Sequence, residues 1–85
     1  MKMRTLKIIK EFDENTHESP HRLIVDGVKT GARFNADTKN DIGDCEEFAF
    51  ILVSELDQEL MYVLDKTEKA KLYGQILEYL NKLPD

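Results

Sequence analysis

The spacing of apolar residues changes once along this chain, and that change restricts its fold more than any other feature. Up to Phe34 the apolar positions alternate or fall in short runs: Leu6 and Ile8 are two apart, and Leu23-Ile24-Val25 is a block of three. Beyond Asp44 they recur in steps of three and four, through Phe48, Ala49, Leu52, Val53, Leu56, Leu60, Val63 and Leu64. Side chains on a strand alternate between two faces, whereas those on a helix return to one face every three or four residues. Strands are therefore expected first and helices second. That segregated order belongs to an α+β fold with a sheet in one layer and helices in the other.

Turn and cap chemistry divides these regions into elements. Arg4 to Phe12 alternates, with Leu6, Ile8 and Phe12 on one side and Thr5, Lys7, Ile9 and Glu11 on the other, and predicts a strand over about 4–12. Asp13 to Pro20 is polar, closes on a proline and predicts a loop. Asp26-Gly27 between Val25 and Val28 is a two-residue type I′ turn signal, because both central positions need φ > 0. The expected hairpin has strands at 21–25 and 28–34. Its register would oppose Val25 to Val28, Leu23 to Thr30 and His21 to Ala32, with Phe34 continuing the inner face. The outer face then carries Arg22, Ile24, Lys29, Gly31 and Arg33, joined by Lys7, and is basic. Asn35 to Gly43 is a polar connector.

Asp44 followed by Glu47, and Asp65 followed by Glu68, both have the spacing of a helix-opening cap, an acceptor with a carboxylate three residues on. They predict helices over about 45–64 and 67–83, the second with a stripe of Leu72, Tyr73, Ile76, Tyr79, Leu80 and Leu83, stopped by Pro84. A short junction makes the two helices antiparallel neighbours. The expectation is one domain over 1–85, β-β-β-α-α, a small antiparallel sheet packed on an antiparallel helical hairpin.

Eighty-five residues leave little volume for a buried catalytic cavity. The longest apolar run, Phe48 to Val53, is far short of the ~20 residues of a membrane span, so no membrane partner is expected. Met1-Lys2-Met3-Arg4 opens with positive charge but has no apolar stretch behind it, unlike a secretory leader. Cys45 is the only cysteine, which excludes an internal disulfide and suits a reducing, cytoplasmic setting.

The net charge of −5 is unevenly spread: residues 1–10 hold four bases and no acid, and residues 41–65 hold eight acids and no base. An acidic stretch of that length repels nucleic acid and attracts basic partners.

Four patterns invite a chemical reading, and each has a physical objection. His17-Glu18-Ser19-Pro20-His21 spells the zinc-protease motif, which brings two imidazoles to one metal only on a helix. Pro20 falls inside the turn that helix would need. Cys45 opens a helix, which lowers a thiol pKa, but Asp44, Glu46 and Glu47 oppose the thiolate and the position lies on the apolar stripe, as a structural cysteine would. Glu55 and Glu59 share a helix side, but no nearby histidine or glycine-bearing loop completes a site with them. Asp37 to Gly43 resembles a calcium loop but lacks its ligand spacing. No catalytic residue, metal ligand or cofactor is expected. The basic sheet face offers no aromatic for base stacking, which speaks against direct nucleic-acid binding.

The first helix carries apolar residues on more than its core stripe. Phe50 and Met61 lie at similar angles away from that stripe, and Ile51 and Tyr62 form a further side group. Exposed Phe and Met beside carboxylates form a common partner surface. The expected function is a non-enzymatic protein-interaction module. It would bind a second copy or a basic protein through Glu47, Phe50, Ser54, Asp57, Gln58 and Met61. A specific form is an acidic inhibitor or adaptor that imitates nucleic-acid phosphates at a DNA-binding protein. The rival classes are an enzyme or small metal-binding domain built on His17, His21 and Cys45, and a nucleic-acid binder using Lys7, Arg22, Lys29 and Arg33.

Overall fold

The structure, a computed structural model, describes residues 4–35, 43–61 and 63–83. Three strands, β1 (Leu6–Lys10), β2 (His21–Val25) and β3 (Val28–Phe34), form an antiparallel sheet in the order β1-β2-β3. Two helices follow, α1 (Cys45–Glu59) and α2 (Lys66–Lys82), packed as a hairpin. The expected β-β-β-α-α two-layer sandwich is the architecture found. The proposed connector over Asn35 to Gly43 and its calcium-like spacing lie mostly outside the described residues, as do Tyr62 and Pro84.

Local chemistry explains each element. Asp26 (φ 53) and Gly27 (φ 79) adopt the left-handed conformations of the type I′ turn. The Asp26 carboxylate also accepts from the Thr5 backbone N–H at 2.9 Å and from the Arg4 guanidinium at 2.9 Å. These donors, Thr5 first, hold its carboxyl below the usual range. Asp44 caps α1 by accepting from the N–H groups of Glu46 and Glu47, and Asp65 caps α2 by accepting from Glu68 N–H.

The sheet contributes Leu23, Val25, Ala32 and Phe34 to the core; α1 contributes Phe48, Ala49, Leu52, Val53 and Leu56. From α2 come Leu72, Ile76 and Leu80, spaced every four residues. Leu23, Leu52, Leu56, Leu72, Ile76 and Leu80 are less than 2 % exposed, each worth roughly 1.5–3 kcal/mol of burial.

Three features depart from the sequence-based expectations. The β1–β2 hairpin holds one register from Lys10–His21 out to an isolated bridge at Asp13–Glu18. The segment expected as a loop from residue 13 is thus a hairpin tip. Glu11 N–H donates to the Pro20 carbonyl, but Pro20 has no N–H to return, which interrupts the ladder there and ends β1 at Lys10. Phe12, expected on the inner face, is 59 % exposed, its ring 6.4 Å from that of His17.

The second departure is the register of β2 and β3. Val25–Val28 and Ile24–Lys29 pair as the turn requires, but Arg22 then opposes Arg33, and His21 opposes Phe34. Two extra β3 residues are therefore accommodated opposite Leu23. The Thr30 hydroxyl donates to the Leu23 carbonyl at 2.7 Å and accepts from Ala32 N–H at 3.3 Å, so a side chain stands in the ladder. Because the insertion is of two residues, the alternation survives: Thr30, Ala32 and Phe34 stay buried and Lys29, Gly31 and Arg33 exposed.

Third, α1 stops at Glu59 rather than near residue 64. Leu60 leaves helical geometry (φ −85, ψ 14) and Met61 is left-handed (φ 61), with Met61 N–H donating to the Gln58 carbonyl. Leu60 and Leu64 still turn inward, Leu64 only 5 % exposed, whereas Val63 is 56 % exposed. A connector anchored by two leucines had imitated helical spacing.

Candidate partner surface

Four of the six expected partner residues lie along the outward side of α1: Glu47, Phe50 and Gln58 are exposed and Ser54 half-buried. Phe50 is 65 % exposed, and Ile51, on the far flank of the same strip, 37 %. Residues 45–59 contain no Lys or Arg, so Glu46, Glu47 and Glu55 make the helix itself negative, with Arg33 of β3 beside the same hollow as Glu55.

The other two are elsewhere. Asp57 is only 8 % exposed, its Oδ2 3.1 Å from Lys69 Nζ on α2. It sits in the seam between the helices because helical rotation from Leu56 carries the next side chain toward α2, so it is not an exposed rim carboxylate. Met61 is 81 % exposed but stands on the left-handed connector beyond the end of α1. It therefore does not continue the Phe50 side of a helix, as an unbroken helix to residue 64 would have required.

The two histidines of the zinc-protease spelling diverge. His17 is exposed at φ 58 in the hairpin tip. His21 is 6 % exposed, stacked on Phe34 with ring centroids 5.0 Å apart, and its Nδ1 lies 2.7 Å from the Tyr79 hydroxyl. Burial, aided by Lys10, lowers the His21 pKa, and burial raises that of Tyr79, so both are neutral at pH 7. Among the described residues no three His, Cys, Asp or Glu side chains group as metal ligands. Cys45 is half-buried against the core.

The carboxylates of Glu55 and Glu59 have separate surroundings. Glu59 accepts from Gly31 N–H with both oxygens, at 2.7 and 2.8 Å, and so covers an edge-strand donor at the bulge. Glu55 lines a concavity of about 340 Å³ between α1 and the hairpin tip, floored by Phe34, Phe48 and Leu52 and rimmed by Glu18 and Arg33. Sequence reasoning expected no concavity beside this helix. The hollow depends on the hairpin tip standing up beside α1, a tertiary fact with no local signal. Among the described residues Thr16 is the only hydroxyl side chain in its lining, and neither Cys45 nor a histidine is part of it.

On the sheet's outer face, Arg22 and Arg33 face one another across β2 and β3, and Lys29 pairs with Glu11 at 2.6 Å. No Phe, Tyr or Trp lies on the outer positions of the three strands. Among the described residues no helix is long and apolar enough to cross a membrane. Comparison of the chain with protein-family models, curated proteins and solved structures returned no match.

Proposed function

We propose that this chain is a non-enzymatic protein-interaction module that docks a protein partner on the outward side of α1. The observation that carries this reading is Phe50, a large aromatic left 65 % exposed on a base-free acidic helix. Ile51 and the neighbouring Glu47, Ser54, Glu55 and Gln58 complete an apolar centre with a polar, negative rim. That pattern matches the usual anatomy of an interface, in which aromatic anchors supply most of the energy and rim charges steer approach. A partner of this surface would present an apolar patch bordered by Lys or Arg.

The test is Phe50→Ser. An exposed side chain contributes little to the fold, so circular dichroism and the denaturation midpoint should stay within about 0.5 kcal/mol of wild type. Self-association in sedimentation, or capture of a basic protein from cell extract, should fall at least tenfold. A folded Phe50→Ser protein that associates and captures as wild type does would refute the reading.

A further inference from the structure

We propose that the partner of the α1 surface is a second copy of this chain, bound head to tail through the uncovered face of its sheet. This rests on the reading of α1 as a docking surface and names its occupant. The outer sheet face has the complementary design. Ile9 and Ile24 are half-buried at its centre, on the side of the sheet away from the described helices, and Lys7, Arg22, Lys29 and Arg33 surround them. Glu11, just past β1 on this face, is already paired with Lys29, and Asp13 and Glu14 of the hairpin tip line a hollow with Arg22 and Arg33.

Positive charge concentrates at one end of this face. Arg22 and Arg33 are direct cross-strand neighbours; Glu11 acts on Arg22 through space, and neither guanidinium forms an ion pair or side-chain hydrogen bond among the described residues. Arg22 Nε is buried without a partner. Like charges directly opposed on a sheet repel, so a carboxylate arriving there relieves repulsion and satisfies a donor at once. The acidic side of α1 supplies such carboxylates in Glu47 and Glu55.

Size permits the contact. The molecule measures 39 × 27 × 19 Å, so a broad face is on the order of 1,000 Å², against the ~800 Å² per partner of a stable complex. The centres of the two surfaces, Phe50 on α1 and Ile9 with Ile24 on the sheet, belong to different layers, and only Arg33 and Glu55 meet, at the hollow beside the hairpin tip; a contact between such unlike patches is heterologous and leads to a ring or an open chain rather than a two-fold dimer.

The experiment uses two full-length variants, each altered only at exposed positions. Lys7→Glu with Arg33→Glu reverses the sheet face, and Glu47→Lys with Phe50→Ser disables the helix face. Wild type should grow beyond a dimer with concentration in sedimentation at low salt and dissociate as salt rises. Each variant alone should be monomeric and folded by circular dichroism. Mixed in equal amounts, they should form a one-to-one dimer that grows no further, since only one productive contact remains.

Wild type that stays monomeric at millimolar concentration overturns the proposal. So does a mixture that stays monomeric while wild type associates, or a sheet-face variant whose chief defect is loss of binding to a single-stranded DNA probe. A monomeric wild type that still captures a basic protein through Phe50 removes the second copy and leaves the interaction reading intact.

Discussion

Replacing Thr30 with valine should destabilise this protein more than replacing it with serine, against the order that hydrophobicity would set. Thr30 is 4 % exposed, and its hydroxyl donates to the Leu23 carbonyl and accepts from Ala32 N–H at the point where β3 carries two extra residues. Valine keeps the shape and the strand preference but leaves two backbone groups short of a partner. A buried polar group left unsatisfied costs about 1–3 kcal/mol, and that range is the expected loss for Thr30→Val, because the long 3.3 Å bond from Ala32 N–H adds little to the 2.7 Å bond to the Leu23 carbonyl. Serine keeps the hydroxyl and removes one methyl, about 0.8 kcal/mol. An 85-residue domain holds about 4–13 kcal/mol in total, so either variant should still fold. With a urea slope near ~1 kcal/mol per molar, the valine midpoint should fall by about 1–3 M and the serine midpoint by less than about 1 M. A valine variant as stable as the serine variant, or more stable, would show that the hydroxyl is not part of the ladder.

Gly74 is an exposed interior position of α2, and a Cβ built there meets nothing within 4 Å. Gly74→Ala should therefore raise the denaturation midpoint by up to about 1 kcal/mol, and a loss would mean that the glycine serves a contact on that side. Burial lowers the His21 pKa below 6.5, so below that pH the unfolded chain takes up a proton that the folded chain refuses. The stability of wild type relative to His21→Gln should be constant above about pH 7.5 and fall as pH drops through the reference value, with a slope of at most ~1.4 kcal/mol per pH unit; parallel pH profiles would refute it.

How much of the surface on α1 was legible depended on the range of the interactions that decide it. Phe50 and Glu47 could be placed from sequence because helical rotation from the Phe48–Leu52–Leu56 stripe leaves them outside whatever that stripe packs on. Asp57 could not, because its exposure turns on Lys69 of the other helix, 3.1 Å away. Met61 could not, because its left-handed backbone (φ 61) reflects the reversal of direction into α2. The concavity beside Glu55 was invisible for the same reason, since its walls come from the hairpin tip, the end of β3 and α1.

By itself the sequence determined the order of elements, the Asp26-Gly27 turn and both helix starts. Each is a contest settled within a few residues: a φ > 0 that glycine tolerates, a carboxylate reaching an N–H two or three positions on, a change of apolar period from two to three or four. Only the tertiary structure decided the bulge opposite Leu23, the end of α1, the union of Glu59 with Gly31, and the burial of His21 between Phe34 and Tyr79. Those outcomes join groups as much as 58 positions apart in the chain. Such pairs are chosen by how layers fill space and satisfy buried polar groups, and no local propensity specifies them.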